Sequence, residues 1–220
     1  VQPDEPLLRE TGTLEHRDAV LAWDSIRHVP EKDRPDPTPR IVHPVTGQLV
    51  PDPQAKLKYY EYVGARAAEW PEADFIVGNP PYLGQARQRE AFGDGYVDAL
   101  RASYPEVPDS ADLVMYWWYR ASECLRKGRL VHAGFITTQS ITQSQNRKVI
   151  AQARERGAKV RWAIADHAWC DADEGAEVRV TMTVISLKPQ NARLLQVAYS
   201  RYIAGNEPPP FTRELVVSVT

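Results

Sequence analysis

The run Asp74-Phe75-Ile76-Val77-Gly78 stops against Asn79-Pro80-Pro81-Tyr82, and this junction constrains the fold more than any other stretch. β-Branched and aromatic residues favour a strand, while two prolines supply no ladder donor and fix φ. The segment therefore reads as a buried strand ended abruptly. Asn79 then stands at a carboxyl strand end, where open α/β sheets bind ligands. Its side-chain oxygen and the Pro80 carbonyl can together accept both hydrogens of one amino group, and the Tyr82 ring offers a flat face for stacking. An amino group on an aromatic base or an amide is a poor nucleophile because its lone pair is delocalised. Two acceptors that hold its hydrogens out of plane restore nucleophilicity. The tetrapeptide alone also fits a strand followed by a proline turn with one buried tyrosine.

Asn79-Pro80-Pro81-Tyr82 resembles the catalytic motif of amino-group methyltransferases that use S-adenosylmethionine, and its Asn form resembles that of N6-adenine DNA methyltransferases of restriction-modification or phage-defence type. The likeness extends over about residues 7–188. Upstream, the segment from Gly12 to Leu21 looks like the family's acidic motif, with Asp18 at the position that binds the cofactor's adenine. Downstream, Ser110 to Trp118 resembles the helix that opens with Asp-Leu and lines the cofactor pocket, here Asp112-Leu113. Gly134 to Ile141, followed by Asn146-Arg147, resembles the next strand and loop.

The resemblance implies an α/β fold, a partial Rossmann-like class I methyltransferase with a mostly parallel sheet, an antiparallel last strand and its first strands missing. It implies catalytic roles for Asn79, Pro80, Pro81 and Tyr82, with Asp18, Asn79 and Asp112 holding S-adenosylmethionine. Tyr82 would stack on a flipped adenine. Arg87, Arg89 and Arg147, next to the motif loops, are the candidate phosphate contacts, and Trp169 is a candidate opposite wall of the base pocket. The implied partners are double-stranded DNA and subunits of a restriction or defence system.

One departure stands out. The family carries a glycine-rich Phe-x-Gly-x-Gly loop upstream of the acidic motif, and no such pattern precedes Asp18. The chain also opens on Val1, so the expectation is a piece of a longer protein that starts inside the catalytic domain. On this reading residues 1–190 are a partial catalytic domain with a proline-rich insertion at about 24–54. Residues 191–220 then lead towards a missing target-recognition region. Alternatives stay open: glutamine-N5 protein methyltransferases and guanine-N2 RNA methyltransferases use the same tetrapeptide, cytosine-N4 enzymes usually carry Ser at the Asn79 position, and the chain could be a non-catalytic DNA-docking fragment.

Composition adds bounds. The 220 residues, 43% hydrophobic and 25% charged, suffice for one domain with a sizeable core. No stretch approaches a membrane span, and Cys124 and Cys170 lie far apart, which fits reduced thiols and a cytoplasmic setting. The five histidines form no ligand spacing, so no metal site is expected. A net charge of −2 is the wrong sign for wrapping a phosphate backbone, so DNA contact would need local basic patches.

Periodicity gives the remaining elements. Residues 13–23 read as a strand end and loop, and 24–54 as an irregular excursion containing a small hairpin over 40–50 that turns at Thr46-Gly47. Residues 56–70 read as a helix, and 85–103 as a loop and helix. Ser110 is the expected N-cap of a helix to 126 or 127, with an apolar stripe of Leu113, Trp117, Ala121 and Leu125 and with Gly128 at C′. Strands are expected at 131–137, 160–165, 178–187, 197–203 and 215–219, and a helix at 145–156.

Overall fold

A computed structural model describes residues 14–168, 179–188, 192–198 and 213–219. The proline-rich insertion is not irregular. Leu21–Ala22 (β1), Ser25–His28 (β2), Arg34–Pro35 (β3) and Arg40–Val42 (β4) run outward. Leu49–Pro51 (β5), Lys56–Leu57 (β6), Tyr60–Val63 (β7) and Arg66–Ala67 (β8) run back. Their pairings are nested and all antiparallel, β1 with β8, β2 with β7, β3 with β6 and β4 with β5. The insertion is thus one long two-stranded arm. Each strand of such a ribbon keeps an open edge, and there a proline can sit without breaking a ladder bond.

The arm carries one register jump. From His28 to Arg34 the outward limb advances six residues while the return limb advances three, from Tyr60 to Leu57. The surplus forms a 3-10 turn, Pro30–Lys32, with proline at its start. Asp33 pins the jump, accepting from the Tyr59 N–H at 2.9 Å and pairing with His28. That N–H bond is the main reason the Asp33 carboxyl titrates below its usual range, with His28 adding to it. The expected hairpin is present at the tip, where Gly47 takes φ +68°, a conformation that favours glycine.

The helix expected over 56–70 is absent. Tyr59-Tyr60-Glu61-Tyr62-Val63 is a strand-forming sequence, and pairing with Ser25–His28 decides its state. Tyr62 packs edge-on against Trp23 at 5.0 Å and against Tyr96 at 5.6 Å, fastening the base of the arm to the core. Two polar contacts fasten it further out, an ion pair of Arg34 with Asp94 at 2.6 Å and a hydrogen bond from the Tyr59 hydroxyl to Asp98 at 3.1 Å.

The remaining strands, Ala73–Gly78 (β9), Leu130–Thr138 (β10), Lys159–Ala168 (β11), Arg179–Ser186 (β12), Ala192–Ala198 (β13) and Arg213–Val219 (β14), form a six-stranded sheet in the order β14-β13-β11-β12-β10-β9. β9 with β10 and β11 with β13 are parallel, while β12 is antiparallel to both its neighbours and β14 to β13. The sheet is mixed, with four strands running one way. Insertion of β12 against the others is the antiparallel strand expected near 178–187. Of the strand expected over 197–203, residues 197 and 198 fall in Ala192–Ala198, and 199–203 lie outside the described residues.

Between β9 and β10 come Gln85–Phe92 (α1), Asp94–Ser103 (α2) and Val114–Arg126 (α3), and Ser144–Glu155 (α4) links β10 to β11. The segment expected as one loop and helix is two helices, broken at Gly93 with φ +81°. α3 supplies the centre of the core through Val114, Met115, Trp118, Ala121 and Leu125, and Trp117 packs against its margin. Gly128, with φ +71°, occupies C′ as expected. Ser110 is not the N-cap; the helix begins four residues later, after a turn in which the Ala111 N–H bonds the Pro108 carbonyl. Cys124 is buried, and burial pushes its thiol pKa up. Cys170 lies outside the described residues. No helix among the described residues is long and apolar enough to cross a membrane.

β9 is a strand but not a buried one. It sits at the sheet edge, with Phe75 68% and Val77 83% exposed. Phe75 stacks on its ladder neighbour His132 at 5.3 Å, and no described residue covers the rest of that face.

A first prediction concerns the arm. A Cβ at Gly95, near the start of α2, would overlap the Tyr60 carbonyl oxygen. Gly95→Ala should therefore force α2 and β7 apart and destabilise by about 1–3 kcal/mol. Thermal melting checks this, and a fall of only a fraction of a degree would mean that the contact is not tight.

Candidate active site

Asn79 emerges from β9 exposed, and Pro80 behind it is buried. The Tyr82 hydroxyl donates to Asn79 Oδ1, so the tetrapeptide folds back on itself. Burial pushes the Tyr82 phenol above its usual pKa and keeps it a neutral donor. The Tyr82 ring is 37% exposed, open enough for a planar group to lie on it.

Two hydrogen bonds lock the loop after the motif. Leu83 carbonyl accepts from Leu113 N–H at 2.9 Å and from the Gln88 side chain at 3.4 Å. Gln88, fully buried, also donates to the Ala111 carbonyl at 3.1 Å. The motif loop and the segment entering α3 therefore move as one piece.

This stitching places Tyr82 and Asp112 on the same cavity of about 290 Å³, shared with Gly84, Val114, Thr138, Ser140 and Gln143. Thr138 and Ser140 hydroxyls bond each other at 2.8 Å. Asp112 is gripped by Asn146, whose Oδ1 accepts from the Asp112 N–H at 2.9 Å and whose Nδ2 donates to Asp112 Oδ2 at 2.8 Å. Asp112 Oδ1 has no donor among the described residues. An acceptor left free beside a cavity suits an ammonium or amino group.

The other sequence candidates scatter. Asp18 does not line the cavity: its Oδ1 accepts from the Val20 and Leu21 N–H groups, both at 2.8 Å, and its Oδ2 from the Tyr96 hydroxyl at 2.7 Å. Arg89 is held by Asp94 and Asp98 at 3.1 and 2.7 Å, which leaves it little freedom to meet a phosphate. Arg87 is exposed without an ion pair among the described residues, and Arg147 is exposed on α4, lining a groove with Lys148 and Arg154. Trp169 lies outside the described residues. Sequence reasoning placed Thr138, Ser140 and Asn146 in a family-like strand and loop without giving any of them a role of its own, and it passed over Gln143 and Gln88. For Asn146 the available signal was a polar residue on the apolar face of a helix, next to Val149 and Ala153.

A family model described as MmeI, DNA-methyltransferase domain, matches residues 6–212. The chain belongs to this family. Among solved structures it is similar to the Type IIL restriction-modification enzyme MmeI in complex with DNA, at 23% identity and TM-score 0.48, covering 66% of this chain and 18% of that one. It is also similar to a modification subunit of a putative type I restriction enzyme from Vibrio vulnificus YJ016, at 12% identity and TM-score 0.38, covering 61% of this chain and 26% of that one. The chain spans about a fifth to a quarter of those proteins. No curated protein matches it. The description of that family names a DNA methyltransferase, not a glutamine or RNA methyltransferase.

Proposed function

We propose that this domain belongs to a restriction-modification or phage-defence enzyme that methylates the N6 amino group of adenine in DNA, with S-adenosylmethionine as donor. The observation that carries the reading is the exposed Asn79–Tyr82 pair at the end of β9, beside a cavity that holds Asp112. The target adenine leaves the duplex at a cost of a few kcal/mol, and stacking on Tyr82 offsets about 1–3 kcal/mol of it. Its amino hydrogens go to Asn79 Oδ1 and the Pro80 carbonyl, the second lone pair of Oδ1 being open to it while the Tyr82 hydroxyl holds the first. The nitrogen lone pair then points away from the ring plane, and after methylation the surplus proton on that nitrogen leaves to water. S-adenosylmethionine, when bound, supplies an electrophilic methyl group, and Asp112 Oδ1 is the described group suited to its amino functions. Arg87 and Arg147 contact flanking phosphates.

The test is methylation of duplex DNA by the full-length protein, followed by nucleoside mass spectrometry. N6-methyladenine is expected. N4-methylcytosine, or no methylated base, would overturn the assignment.

A second expectation concerns residues 1–220 by themselves. They contain no Phe-x-Gly-x-Gly segment ahead of Asp18, and the Asp18 carboxylate already accepts three hydrogen bonds. Calorimetry on this chain should show weak or no binding of S-adenosylmethionine. Micromolar affinity would mean that these residues suffice to hold the donor.

A further inference from the structure

A primary amide on a buried helix face must find a partner for each group it buries, because an unmatched one costs the full desolvation penalty. Asn146 is 2% exposed and its bonds all go to the rim of the cavity. Besides its two bonds to Asp112, its Nδ2 donates to the Ser140 carbonyl at 2.8 Å. The amide thus holds the backbone N–H and the carboxylate of one residue together, a ring of contacts that fixes the Asp112 side-chain torsions. With Oδ2 tied, Oδ1 is turned towards Gly84, where an added Cβ would touch it at 3.6 Å. Gly84 and Asp112 both line the cavity beside Tyr82.

We propose that Asn146 is a positioning residue that presents Asp112 Oδ1 to the methyl donor, an inference that rests on the reading of this cavity as the methyl-transfer site. Asparagine alone meets the demands of the position. Aspartate would set two carboxylates against each other and lose the donor to Ser140. Glutamine is one methylene too long for a well-packed position, and leucine would leave the Asp112 N–H and the Ser140 carbonyl unpaired. The clamp also joins α4, the turn after β10 and the segment entering α3, which Leu113 ties to the motif loop.

The test is calorimetric binding of S-adenosylmethionine to the full-length protein, with the melting temperature of each variant recorded alongside. Asn146→Ala should weaken binding about 10-fold, the scale of one oriented charge-assisted hydrogen bond. If Asn146 acts only through Asp112, the double variant Asp112→Ala/Asn146→Ala binds no worse than Asp112→Ala. Asn146→Asp creates a facing carboxylate pair, one member of which takes up a proton more readily. Its affinity, relative to the parent, should therefore recover as pH falls from about 8 to about 6. Unchanged affinity in Asn146→Ala, additive losses in the double variant, or a pH-independent Asn146→Asp would each overturn the proposal. Methyl transfer by Asn79→Ala separates the two failures. If transfer survives that change, the reading of the site itself is wrong, whereas loss of transfer with intact donor binding in Asn146→Ala sinks only the clamp.

Discussion

Asn79→Ala in the full-length protein is expected to slow methyl transfer by about 10²–10³-fold, the usual cost of removing one preorganised polar group that acts on the reacting centre. The amino nitrogen would keep the Pro80 carbonyl as its sole acceptor, and its lone pair would relax back into conjugation with the ring. Folding should survive. Asn79 is exposed, and its described side-chain bond is the one from Tyr82, so the stability change should stay within about 0.5 kcal/mol. A single-turnover assay reads the chemical step directly, and a normal rate with the Ala variant would mean that the active site lies elsewhere.

Tyr82 separates stacking from hydrogen bonding. Tyr82→Ala should weaken productive engagement of DNA by about 1–3 kcal/mol, the worth of one base on an aromatic face. Tyr82→Phe keeps the ring and loses only the hydroxyl. That hydroxyl takes one of the two lone pairs of Asn79 Oδ1 and leaves the other for the incoming amine, so its removal should change engagement by no more than about 1 kcal/mol. DNA whose target adenine is already unpaired should partly rescue the Ala variant, since less flipping energy remains to be offset. Equal losses for Phe and Ala, without rescue, would show that the hydroxyl or the local fold matters and that the ring does not act as a stacking face.

What could be read from the sequence was what neighbouring residues decide among themselves. The apolar run before two prolines announces β9 and its abrupt end; the stripe from Leu113 to Leu125 with Gly128 after it announces α3 and its stop; Thr46-Gly47 marks the hairpin tip. What was misread depends on partners far along the chain. Strands at 56–57, 60–63 and 66–67 form because Arg34–Pro35, Ser25–His28 and Leu21–Ala22 lie opposite them. Ser110 resembles an N-cap, but the Asp112 N–H is claimed by Asn146, and the helix starts beyond it. The exposed side of β9 was invisible for the same reason, since an apolar run does not say how many neighbours its strand has. In the site, Tyr82 and Asp112, both singled out in the sequence, line one cavity. Asp18 was assigned by likeness alone, and the Tyr96 hydroxyl that occupies its carboxylate comes from a helix 78 positions away.

The nested arm also makes reach an adjustable quantity. Because its pairs close one inside another, from Leu21 with Ala67 down to Val42 with Leu49, equal lengths can be taken from both limbs at the tip without disturbing any pair nearer the base. Side chains alternate between the two faces, so cuts of two residues per limb preserve which side each remaining residue shows. The arm behaves as a telescoping module: its length can change while Tyr62, Gly95 and the Arg34–Asp94 pair keep its root fixed on the core.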